Sequence, residues 1–95
     1  MPKLSEVEIL DKMSDAQGWE RHGDMLVKTW RFSSFRRAIE FVNLAAEMMI
    51  KQDHHPTLVV SYRDVRVETC TGDEGGLTEK DFELIRALET IPVDR

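Results

Sequence analysis

Ninety-five residues suffice for one hydrophobic core and not for two, so the chain reads as a single domain over residues 1–95. Its 41% hydrophobic and 33% charged residues fit a soluble globular protein, no apolar run approaches the ~20 residues of a membrane span, and the start MPKLSEVEIL lacks a signal peptide's apolar core. A formal net charge of −5 without a basic stripe argues against direct nucleic-acid binding, and the single cysteine, Cys70, excludes an internal disulfide and fits a reducing cytoplasm.

The chain opens on a helix signal. Ser5 and Glu8 have capping-box spacing, Val7, Leu10 and Met13 supply a short apolar stripe, and Gly18 offers a left-handed stop. GWERHGDMLVKTWRF then predicts two short strands around the turn HGD, with Leu26, Trp30 and Phe32 at even spacing. On residue type alone, Trp19 and Trp30 read as core packing. Ser33 or Ser34 caps a second helix running to about Gln52. Phe35, Ala38, Ile39, Val42, Ala45, Ala46 and Met49 lie on one face, and Phe41, Leu44 and Met48 widen the stripe. A helix apolar over so wide an arc packs on two sides, so a subunit interface is expected.

Pro56 ends the helix-compatible backbone. In TLVVSYRDVRVETCT, Leu58, Val60 and Tyr62 share one face, Val65, Val67, Thr69 and Thr71 share another, and Arg63–Asp64 reads as the hairpin turn. GDEGG is a glycine-rich loop. Thr78 with Asp81 starts a last helix that carries Phe82, Ile85, Leu88 and Ile91. The predicted order is α-β-β-α-β-β-α, an α+β fold whose four-stranded antiparallel sheet has three helices on one face. The other face, or an edge, is left for oligomerisation.

The stretch KQDHHPTLVVSY places two adjacent imidazoles at a helix-to-strand junction, where rigid elements can hold side chains open to a cleft. Imidazole both gives and takes protons near neutral pH, so His54 and His55 could serve opposite ends of a proton transfer, with Asp53 orienting one ring or stabilising its charged form. On composition alone a solvent-facing helix cap stands beside that reading. No metal site is expected, because nothing in the spacing selects His22 or Cys70 as a third ligand. Cys70, within the predicted strand, reads as a small buried hydrophobe. GDEGGLTEKD lacks the ending of a phosphate loop and reads as a turn before a capped helix.

AAEMMIKQDHHPTLVVSYRDVRVETCTGDEGGLTEKD resembles the central block of the pterin-4a-carbinolamine (4a-hydroxytetrahydrobiopterin) dehydratases, and GWE and WRFSSFRRAIEFV extend the resemblance over nearly the whole chain. The series HHP…Y…V.V…GLT..D carries it. The resemblance implies an α+β fold with helices on one side of a four-stranded antiparallel sheet, in dimers or tetramers. It implies dehydration of the 4a-hydroxy pterin left by aromatic amino-acid hydroxylases to quinonoid dihydropterin and water, in tetrahydrobiopterin recycling, with no metal or organic cofactor. His54 and His55 would be the acid/base pair with Asp53 beside them, and Trp19, Pro56 and Asp81 would bind the pterin. Two positions depart from the pattern: Ile50 stands where the family usually has an acidic residue, and Gly72 where it usually has a third histidine. Neither can transfer a proton. They motivate a second reading, a catalytically impaired member acting as a protein-binding or assembly module. The family has precedent, since in animals it doubles as a dimerisation cofactor for a homeodomain transcription factor.

Overall fold

The computed structural model describes residues 2–72 and 75–93. Helix α1 (Glu6–Met13) begins as expected, with the Ser5 and Glu8 side chains capping each other's backbone. Of the stripe expected along it, Met13 packs against the core and the other two residues do not. Val7 and Leu10 are 78% and 75% exposed, and Ile9 turns inward instead. The inward edge of this eight-residue helix is Ile9, buried, with Met13 one turn on and partly buried against the core. Gly18 does take a positive φ, but five residues past the helix, in the turn that leads to the sheet.

Strands β1 (Glu20–His22) and β2 (Met25–Arg31) form a hairpin across Gly23–Asp24. Helix α2 (Phe35–Gln52) starts at Ser34, whose hydroxyl accepts from the Arg37 N–H. Strands β3 (Thr57–Ser61) and β4 (Asp64–Thr69) follow, then α3 (Glu79–Leu88) behind a Thr78–Asp81 capping box. The hairpin turn falls at Tyr62–Arg63, one residue before the expected position, because Ser61 pairs with Asp64 and Tyr62 adopts a left-handed φ of 52°. Tyr62 therefore leaves the strand and is exposed. Cys70 lies just beyond β4 and is exposed, contrary to the buried role expected of it. The GDEGG loop lies partly outside the described residues.

The sheet is fully antiparallel in the order β1-β2-β4-β3. Register decides what each face carries. Leu58 sits opposite Val67 and Val60 opposite Val65, so the rows expected on separate faces of this hairpin share the helix-covered face. Leu26, Trp30, Val65, Val67 and Thr69 line that face and are all but inaccessible. The open face carries Thr29, Arg66 and Glu68, with Arg66 donating to Glu68. Trp30 stacks edge-on against Trp19 at 5.6 Å and lies 4.8 Å from Phe41 of α2. Truncating so large a buried ring costs about 3–5 kcal/mol, enough to unfold a marginal domain of this size.

Helix α2 lies on this core through Ala38, Phe41, Ala45 and Met49. A second row, Phe35, Ile39, Val42, Ala46 and Ile50, spaced three or four apart, flanks the buried one. Phe35 and Ile50 in that row are 51% and 65% exposed, so the helix is apolar beyond what this sheet covers. No helix among the described residues is long and apolar enough to cross a membrane.

Candidate functional site

The two histidines part company at the end of α2. Asp53 closes the helix in the left-handed region at φ 52°, a conformation that aspartate tolerates better than most residues. Its N–H bonds the Ile50 carbonyl while the His54 N–H bonds that of Met49, a Schellman closure. The chain then extends through Pro56 into β3, and successive side chains point to opposite sides. His54 turns inward and is 6% exposed. The His55 ring is 74% exposed, and its nearest charged partner is Asp53, itself 89% exposed, at 3.9 Å from Nε2.

Inside, His54 meets a carboxylate. Its Nε2 lies 2.8 Å from Thr69 Oγ1 and 3.1 Å from Asp81 Oδ1. Thr69 and Thr71 are two apart at the end of β4, so both hydroxyls reach the side on which α3 begins. The Thr69 hydroxyl donates to Asp81 Oδ1 at 2.7 Å, and the Thr71 hydroxyl donates to Oδ2 at 2.7 Å. The Thr78 N–H donates to Oδ2 at 3.0 Å, which makes Asp81 at once the capping carboxylate of α3 and the floor beneath His54. Asp81 has no solvent exposure. Buried polar oxygens need partners, and Asp81 has donors on both oxygens with the N-terminus of α3 behind them. Lys80, reaching the Asp53 carbonyl at 3.4 Å, ties the start of α3 to the end of α2.

The remaining candidates lie elsewhere. Trp19 is buried in the core, its indole N–H donating to Glu89 at 3.0 Å, and it shares no hydrogen bond with His54, His55 or Asp81. Lys28 bonds the same glutamate at 2.7 Å. Pro56 is half-buried beside His55. His22 sits on β1 near Glu20, and among the described residues no three His, Cys, Asp or Glu side chains group as a metal site. Ile50 is 65% exposed one turn before the histidines. Apart from its own backbone and its chain neighbours, Gly72 has no described atom within 4 Å of where a Cβ would stand. Thr69 and Thr71 were read in the sequence only as strand residues. The available signal was two hydroxyls continuing the inward row of Val65 and Val67, since a buried polar group needs a partner.

A buried carboxylate–imidazole pair next to an exposed imidazole is equipped for proton transfer, and the whole chain can be set against known proteins. The family model for pterin 4 alpha carbinolamine dehydratase matches residues 2–91. The chain belongs to that family. A relative from Thermomicrobium roseum, whose name places it in the family, is 40% identical over 88 residues, covering 93% of this chain and 95% of its own. One from Sulfolobus acidocaldarius is 40% identical over 89 residues, covering 94% and 98%. The crystal structure of a transcriptional coactivator/pterin dehydratase from Brucella melitensis superposes with a TM-score of 0.88 at 29% identity, over 93% of this chain and 96% of that one. A pterin dehydratase-like protein identified as a RuBisCO assembly factor in the alpha-carboxysome shares the fold, with a TM-score of 0.68 at 17% identity over 83% and 94%.

Proposed function

We propose that this member of the pterin dehydratase family dehydrates pterin-4a-carbinolamine to the quinonoid dihydropterin, in the cytoplasm, by histidine acid/base catalysis. In that reaction the C4a–O bond breaks with its electron pair on oxygen, and an acid supplies the proton that makes the leaving group water. N5 gives its proton to a base, and the freed electron pair forms the N5=C4a double bond. Proton traffic is the whole of the chemistry, so two imidazoles in unlike environments suit it. The observation that carries the reading is His54 seated on the buried Asp81 carboxyl while His55 faces solvent beside Asp53. His55, open to solvent and to the ligand, is the acid, and His54, held against Asp81, the base. Pro56 borders the substrate directly and Asp81 acts through His54, which it holds in place, whereas Trp19 packs on Trp30 in the core. The test is decay of the 4a-hydroxy pterin at neutral pH, corrected for its spontaneous dehydration. Catalysed decay with wild-type protein supports the reading, and decay at the spontaneous rate defeats it.

A second reading has its own support. The exposed apolar row along α2 fits a protein partner, and the Brucella melitensis relative is described as a coactivator as well as a dehydratase. On the same row we propose self-association to a dimer or tetramer, since Phe35 and Ile50 are apolar surface that a helix partner would cover. Light scattering at micromolar concentration should return a multiple of 11.0 kDa, and a clean monomer counts against self-association.

A further inference from the structure

Around the inward ring, His54 Nε2, Thr69 Oγ1 and Asp81 Oδ1 form a closed triangle with sides of 2.8, 2.7 and 3.1 Å. A threonine hydroxyl has one proton to give, and an ionised carboxylate has none. The Thr69 proton goes to Asp81 Oδ1, which has no other hydroxyl or amide donor among the described residues. The same rule orders the far side. Thr71 donates to Oδ2, and the Thr78 hydroxyl, 2.9 Å from Thr71 and accepting from the Lys80 N–H, donates to Thr71 in turn. Every hydroxyl proton of the cluster therefore runs towards the carboxylate. His54 Nε2 faces two oxygens that have no proton left for it, in a place where Thr69 and Asp81 are wholly shielded from water. It must carry the proton itself.

We propose that Thr69 is a positioning residue for His54: with Asp81 it keeps the ring proton on Nε2, so that the neutral ring presents Nδ1 to the ligand. Nδ1 has no hydrogen-bond partner among the described residues. The opposite tautomer would set three lone-pair-bearing atoms around the single Thr69 proton, leaving a buried oxygen or nitrogen unsatisfied. The catalytic consequence rests on the dehydratase reading. Nδ1 of the neutral ring takes the N5 proton, the electron pair becomes the N5=C4a bond, and the C4a hydroxyl leaves as water with a proton from the acid partner.

Two-bond 1H–15N correlation spectra of histidine-labelled protein read the tautomer without any substrate. Wild-type His54, with its ring neutral, should show a proton-bearing shift at Nε2 and a lone-pair shift at Nδ1. Thr69→Val keeps the side chain's shape and removes the hydroxyl. Its Nε2 proton then rests on Asp81 alone and should move downfield, while kcat falls ~10-fold with KM unchanged. Thr69→Ser should restore both. A lone-pair shift at Nε2 in the wild type overturns the proposal even if Thr69→Val fails to fold. An unmoved Nε2 proton in Thr69→Val overturns it as well. If the tautomer is as stated but wild-type protein leaves the pterin at its spontaneous rate, the dehydratase reading fails and the positioning of His54 stands.

Discussion

His54 and His55 are joined by a single peptide bond, yet one ring is 6% exposed against a buried carboxylate and the other 74% exposed beside a solvated one. Their chemistry is set by what surrounds each ring, and the left-handed closure at Asp53 assigns those surroundings. On the inner side, every polar atom of Asp81 is held by something else that is also held. On the outer side, Asp53 and His55 are 3.9 Å apart in solvent, where such a pair adds little to stability. Adjacent residues can therefore divide labour, one held rigidly and one free to meet a ligand.

The largest expected contrast is between the two aspartates. Asp81→Ala strands the donors of Thr69, Thr71 and Thr78 and removes the carboxylate half of the α3 capping box, and should cost about 3 kcal/mol or more. Asp53→Asn keeps a residue that tolerates the left-handed region and should stay within ~0.5 kcal/mol. Urea unfolding measures both. Equal losses would break the comparison, because the inner site would then be no better built than the outer.

A smaller effect is expected at Gly72, where the family usually has a histidine. Its φ is not in the left-handed region and no described atom crowds a Cβ, so Gly72→Ala should leave rate and stability unchanged. Gly72→His should raise the dehydration rate a few-fold, roughly the lower end of what an added acid/base group can give. A fall in rate would show that an imidazole there obstructs the pair.

The smallest effect lies on the far side of α3. Glu79 is held below the ordinary glutamate range by hydrogen bonds from Lys12 and Arg86, against a small opposing effect of burial. A lowered folded value means that its contribution is complete above the unfolded value and is lost as pH falls through the folded one. Glu79→Gln should therefore cost under about 1 kcal/mol at neutral pH, and the difference from wild type should vanish as pH falls through Glu79's lowered value. A difference independent of pH would place the effect in packing.

Much of this was legible in the sequence. Both capping boxes and the strand pairs stood in local patterns, and with short connections these leave few topologies to choose among. The histidine pair and Asp81 were legible as well, though not as neighbours: 27 positions of chain separate His54 from Asp81, and only the order β1-β2-β4-β3 brings α3 across the end of α2. The errors share a cause. The α1 face and the hairpin turn were set by tertiary demands, the seating of Ile9 on the core and the pairing of Ser61 with Asp64, which local periodicity does not contain.

The account's central claim is that both rings exchange protons with the ligand, His55 as the solvent-exposed acid and His54 as the base held in place by Asp81 and Thr69. The most direct measurement is the dehydration rate of His55→Ala, taken with its urea unfolding curve. The rate should fall at least ~10²-fold, about 2.7 kcal/mol of barrier, with stability within ~0.5 kcal/mol of wild type. A folded His55→Ala protein that dehydrates the pterin at the wild-type rate would contradict the claim and put the protein-binding reading first.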